Sequence, residues 1–129
     1  MKRIVLVALF VAAGLDQASA QDAAAGEKVF AVCKACHQVG DTAKNAVGPI
    51  LNGLIGRKAG SVEGYTYSDA NKKSGITWTD EEFTKYIQDP KGIVPGTKMA
   101  FAGIKDPQKI KDLIAYLHTF DKAPVKLAR

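Results

Sequence analysis

Apolar residues along this chain fall into short periodic runs separated by stretches dense in glycine. Over residues 23–36, Val29, Phe30, Val32 and Cys33 recur three and four positions apart, the spacing of one helical face. Thr79-Asp80-Glu81-Glu82 has the form of a capping box ahead of Phe83, Tyr86 and Ile87, and Pro90 requires that helix to stop near Asp89. Asp106 and Pro107 supply a cap and a first-turn proline for a C-terminal helix, whose stripe is Ile110, Leu113, Ile114, Leu117 and Phe120. Ser68 caps a shorter helix over residues 69–74, closed by Gly75. Between residues 38 and 67, Gly40, Gly48, Gly53, Gly56, Gly60 and Gly64 interrupt every period, and no run alternates strictly enough for a strand. Residues 91–103, with Pro95-Gly96 as a turn, read as a second loop. The pattern predicts an all-α domain of about four to five helices joined by long loops. Loops of that length in a compact domain are usually organised by something they wrap.

The first apolar run is of another kind. Lys2 and Arg3 precede an apolar stretch over residues 4–13, then Gly14 and the triplet Ala18-Ser19-Ala20. That order is a secretory signal peptide cleaved after Ala20. About ten apolar residues cover only half of the roughly 20 that a bilayer requires, and Asp16 and Gln17 end the run. Residues 1–20 are therefore read as the signal and 21–129 as one exported, periplasmic domain with at most peripheral membrane contact.

Composition agrees with a single small domain: 129 residues, 47% apolar and 24% charged, which excludes a disordered tail and a membrane bundle. Eighteen Lys and Arg against 13 Asp and Glu give a formal charge of +5. A basic surface suits an acidic partner, and export argues against nucleic acid as that partner. Two cysteines exclude a disulfide-dense scaffold.

Those two cysteines stand in Cys33-Lys34-Ala35-Cys36-His37, the C-x-x-C-H signature of covalent c-type haem attachment. Cysteines three apart on a helical turn share one face, where both thiols can reach the two vinyl groups of one haem. His37 follows directly and can place an imidazole nitrogen beneath the iron. Three other readings compete. A redox dithiol expects a βαβ context that is missing, a zinc site wants a second ligand pair, and a plain disulfide remains open in an exported protein.

The sixth iron position separates ligand binding or peroxidase chemistry from electron transfer. Met99, His118 and the lysines are the candidates. Met99 is the only methionine beyond the signal, in a loop that a Pro-Gly turn can aim inward. His118 lies roughly 120° around its helix from the apolar stripe, at about 100° per residue, as a surface histidine would. Met99 is the better ligand.

At this point the chain resembles the class I cytochromes c, and within them the cytochromes c2 of purple bacteria. The likeness runs from Gly26 to about Leu117. It rests on the haem motif together with Gly48-Pro49, Gly56-Arg57-Lys58, Gly64-Tyr65-Thr66-Tyr67-Ser68-Asp69-Ala70-Asn71, Gly75-Ile76-Thr77-Trp78, Pro95-Gly96-Thr97-Lys98-Met99 and Asp112-Leu113-Ile114-Ala115-Tyr116-Leu117. The resemblance implies helices and loops wrapped around one haem c bound through Cys33 and Cys36. It implies His37 and Met99 as axial ligands, with the Pro49 carbonyl accepting the outer proton of His37. Arg57, Tyr67 and Trp78 would secure a haem propionate. Asn71, Tyr86 and Thr97 would form a polar network beside Met99, and Gly26 and Phe30 would meet the C-terminal helix near Leu113 and Tyr116. Val32 and Ala35 depart from the mitochondrial relatives, which often carry polar residues there.

The function so implied is not enzymatic. It is a soluble, monomeric electron carrier taking electrons from a membrane cytochrome bc complex to a photosynthetic reaction centre, with a terminal oxidase as the alternative acceptor. A haem peroxidase or sensor with a labile Met99 is the rival of another class. Lys28, Lys34, Lys91, Lys98 and Lys105 flank the haem motif or the methionine loop and are expected to ring the haem edge as a docking patch.

Overall fold

A computed structural model describes residues 21–129; the expected signal over residues 1–20 lies outside them. Five helices follow in order: α1 (Ala23–Phe30), α2 (Asp69–Lys73), α3 (Asp80–Gln88), α4 (Pro90–Ile93) and α5 (Pro107–His118). No strand forms among the described residues, only isolated bridges between Lys58 and Thr77 and between Val62 and Leu127.

The frame is the crossing of α1 over α5. A Cβ on Gly26 would sit 1.9 Å from the Asp112 carbonyl oxygen and 2.8 Å from the Tyr116 Cβ, so only glycine lets the two helices approach this closely. The rings of Phe30 and Tyr116 meet at 5.3 Å. Asp22 caps α1 through its carboxylate, and its own N–H donates to the buried Asp112 carboxylate at 3.0 Å. Phe30, Ile110, Leu113 and Leu117 are almost wholly buried in this core. Truncating any one of them to alanine is worth about 2–5 kcal/mol.

Several boundaries differ from the sequence expectation. The first helix ends at Phe30 rather than at residue 36, and the chain continues in tighter turns: Cys33 N–H donates to Phe30 O at 2.8 Å and Cys36 N–H to Cys33 O at 3.0 Å. Three-residue turns and α-turns give nearly the same apolar spacing over so short a run, so periodicity does not separate them. The expected loop over residues 91–103 opens with α4, because Pro90 both stops α3 and occupies the first turn of a new helix that Asp89 caps through Gly92 N–H at 3.1 Å. The capping box of α3 is half made. Thr79 Oγ1 accepts from Glu82 N–H, but the Glu82 carboxylate pairs with Lys85 at 2.9 Å. Phe120 lies beyond α5, edge-on to Tyr116 at 5.1 Å. His118 lies at the surface as expected, paired there with Asp80 and Asp121.

The glycine-rich region is ordered by hydrogen bonds in place of helices. Gly56 N–H donates to Trp78 O at 2.7 Å, Trp78 N–H to Arg57 O at 2.9 Å and Ala59 N–H to Ile76 O at 2.8 Å. The wholly buried Asn52 clasps Gly40 through both N–H and C=O at 2.8 Å.

Candidate functional site

The loops and helices enclose a cavity of about 360 Å³. Cys33, Cys36 and His37 line it from the turns after α1, and Thr97 and Met99 from the loop after α4. Pro49, Arg57, Tyr67, Asn71, Trp78 and Tyr86 line it as well, so every residue that the resemblance placed around the haem lines one space.

On the His37 side, Nδ1 lies 2.8 Å from the Pro49 carbonyl. A carbonyl only accepts, so the ring proton sits on Nδ1 and Nε2 keeps a lone pair. Burial lowers the His37 pKa, against the raising effect of the Pro49 bond, and keeps the ring neutral as a metal ligand must be. A Cβ on Gly48 would fall 2.3 Å from His37 Cε1, so the ring packs against a backbone that only glycine leaves open. Burial, and then the neighbouring Cys36, push the Cys33 thiol up to about 11. A redox dithiol needs a lowered thiol pKa instead, so that reading loses ground. Among the described residues no group of three or more His, Cys, Asp or Glu is arranged to hold a metal ion by itself.

On the Met99 side, the Tyr86 hydroxyl donates to Met99 Sδ at 3.2 Å, and burial raises its pKa against the lowering effect of the Thr97 side chain. Met99 N–H donates to Thr97 Oγ1 at 3.2 Å. The buried Oδ1 of Asn71 has no partner among the described residues.

A third group is rich in unspent donors. Arg57 is buried and gives Nη1 to Asn52 O and Nη2 to Ile50 O, both at 2.8 Å, with no carboxylate in ion-pair reach among the described residues. Burial lowers its pKa, which marks a cation kept from water without an anion. Tyr67 accepts from Val62 N–H at 3.1 Å but donates to no described protein atom, and neither does the Trp78 indole. These are the donors that a buried carboxylate of a bound group would take. The cavity thus offers two thiols, a neutral imidazole, a thioether and an anion-seeking cluster, and it fits a haem.

Sequence reasoning missed Leu51, Leu54, Tyr65 and Phe101, which also line the cavity. Leu51 and Leu54 stand one helical turn apart inside the glycine-rich region, a signal hidden by the glycines on either side. Of the five expected docking lysines, Lys98 lines the cavity, and Lys28, Lys34, Lys91 and Lys105 are exposed without lining it.

The family profile described as Cytochrome c matches residues 23–121. The chain belongs to the cytochrome c family. It is 58% identical over 121 residues to cytochrome c2 of Blastochloris viridis, covering 94% of this chain and 95% of that one. It is 60% identical over 101 residues to cytochrome c-550 of Nitrobacter winogradskyi, covering 78% and 93%. Among solved structures, cytochrome cH from Methylobacterium extorquens is similar at 57% identity and a TM-score of 0.70, covering 76% of this chain and 98% of that one. As a cytochrome c the chain carries covalent haem c on Cys33 and Cys36, and it is an electron carrier rather than an enzyme. No helix among the described residues is long and apolar enough to cross a membrane.

Proposed function

We propose that this cytochrome is a soluble, monomeric periplasmic carrier, exported by residues 1–20, with His37 Nε2 and Met99 Sδ as the axial ligands of its haem iron. The carrying observation is that the Pro49 carbonyl lies 2.8 Å from His37 Nδ1, which leaves Nε2 free to ligate, and that His37 and Met99 line one cavity. When bound, the iron supplies one-electron oxidation and reduction with no bond made or broken in a substrate. Met99 brings a thioether, which favours the ferrous state and raises the potential. Pro49 orients His37 and makes it a better donor. Arg57, Tyr67 and Trp78 bind a propionate with the donors they leave unspent, and Asn71 and Thr97 complete the polar surroundings of Tyr86 and Met99. The ferric spectrum tests the ligand pair: the long-wavelength band of iron–thioether ligation is expected, and a spectrum without it removes Met99 from the iron.

For the electron path, the relatives offer support for two readings. High identity to a cytochrome c2 across nearly the whole chain supports delivery from a cytochrome bc complex to a photosynthetic reaction centre. Similar identity to a cytochrome c-550 supports a second reading, delivery to a terminal oxidase. Val32 and Val47, 59% and 73% exposed, line the cavity, and so does the exposed cation Lys98. Lys98→Glu is expected to slow reduction and oxidation by an acidic partner at low salt. Screening over about 8 Å at physiological ionic strength should shrink that difference. Equal rates at low salt would exclude this face. Comparing purified reaction centre with oxidase as acceptor separates the two paths.

A further inference from the structure

Beyond α5 the chain turns back and runs extended across the glycine-rich region. Glu63 N–H donates to Lys126 O at 2.9 Å and Ala128 N–H to Ser61 O at 2.7 Å, on either side of the bridge between Val62 and Leu127. Two residues of the anion-seeking cluster lean on partners that this strap holds. Tyr67 takes its one protein hydrogen bond from Val62, inside the paired segment. Arg57 gives Nη1 to the carbonyl of Asn52, whose side-chain amide donates to Pro124 O at 2.9 Å.

We propose that the strap over residues 124–128 is a positioning element for the haem site, fixing Tyr67 through Val62 and Arg57 through Asn52. The inference rests on the reading that Arg57 and Tyr67 hold the haem. Its physical basis is the length of the region to be ordered. Residues 38–67 carry no helix and no named strand, so their donors keep their aim only where tertiary hydrogen bonds pin the backbone. The strap pins that backbone at two places, each one hydrogen bond away from a cavity donor. Releasing it lets water reach the donors and the group they bind. A wetter, more polar surrounding favours the more highly charged ferric state, so the potential falls.

The test uses the holoprotein, a variant ending after Ala123, and Ala128→Pro, which keeps the length and removes one strap donor. Amide exchange at Glu63 should speed up about tenfold or more on truncation, and less in Ala128→Pro. The reduction potential should fall in the same order. In a Tyr67→Phe background the shift caused by truncation should shrink, because part of the strap's effect runs through Tyr67. Faster exchange with an unchanged potential would make the strap a stabilising feature only, and overturn the proposal. Shifts that simply add would also overturn it, since Tyr67 would then lie outside what the strap positions. Absence of the thioether band in the full-length protein falls on the Met99 assignment alone, and exchange and additivity still decide the strap.

Discussion

The two sides of the cavity are built by different means. On the His37 side everything comes from neighbouring chain. His37 N–H donates to Cys33 O at 2.9 Å, Gly48 N–H to Cys36 O at 2.8 Å and Leu51 N–H to Gln38 O at 3.1 Å, so residues 36–38 and 48–51 are zipped by backbone bonds. The Met99 side is gathered from afar: Tyr86 comes from α3, Asn71 from α2, and Lys98 reaches Thr66 O at 2.7 Å with its ammonium. Residues 98–103 make no backbone–backbone hydrogen bond among the described residues. A segment held by side chains alone opens at lower free energy than one held by a ladder. The difference teaches which of the two proposed ligands is meant to stay: His37 is fixed by the backbone beside the two haem-bearing cysteines, whereas Met99 is held by a hydroxyl and by the packing around it.

The largest break in that comparison is Met99→Ala. Losing a half-buried Met at the cavity should cost about 2–5 kcal/mol of stability. The haem should remain attached through Cys33 and Cys36, bind added imidazole readily and show a lower potential. A titration with imidazole, monitored by the visible spectrum, checks this; an unchanged spectrum and affinity would remove Met99 from the iron. Gly48→Ala probes the other side. The new methyl would press on His37 at 2.3 Å, where a zipped backbone leaves little room to yield. A cost of about 1–3 kcal/mol is expected in the denaturant midpoint. A variant as stable as wild type would show that the His37 side is softer than its hydrogen bonds suggest. Tyr86→Phe is the milder change on the Met99 side. It removes one hydrogen bond to the thioether and should cost about 0.5–1.5 kcal/mol. Hydrogen exchange in residues 97–103 should rise while residues 36–38 keep their protection; equal increases on both sides would contradict the asymmetry.

The same asymmetry governs what was legible in the sequence. Cys33, Cys36 and His37 are read from spacing alone, because the chemistry needs them adjacent. Met99 is read because no other methionine follows Met1. Arg57, Tyr67 and Trp78 carry no local pattern and came from the resemblance; their shared property, donors left unspent in a buried place, exists only in three dimensions. Asn52 was invisible for the same reason. Its amide joins partners 12 and 72 positions away, and a lone asparagine among glycines reads as a turn. The helices were found wherever a cap preceded an apolar stripe, as at Asp106-Pro107. They were misjudged where one proline both ends a helix and begins the next, as at Pro90.

His118 gives the smallest effect and lies outside both sides of the cavity. Its Nδ1 is 2.7 Å from Asp121 Oδ2 and its Nε2 is 2.9 Å from Asp80 Oδ1. Only the doubly protonated ring donates to both carboxylates. The Asp121 hydrogen bond is the largest cause raising its pKa, followed by Asp80 and opposed by partial burial. Asp80 opens α3 and His118 closes α5, so each charge also sits at the helix end that favours it. The folded-state pKa lies above the unfolded value of about 6.5, so the contribution is complete below that pH. It is lost as pH rises through the raised folded-state value. The side chain is 38% exposed, so solvent screening limits the contribution to at most about 1 kcal/mol. Urea midpoints at low salt should therefore decline slightly from about pH 5.5 to pH 8.5 in wild type, and that slope should flatten in His118→Gln. High salt should flatten the wild-type slope as well. Parallel profiles for the two proteins at low salt would mean that the bridge between α3 and α5 carries no net charge energy, leaving the α1–α5 crossing to hold the frame around the haem without it.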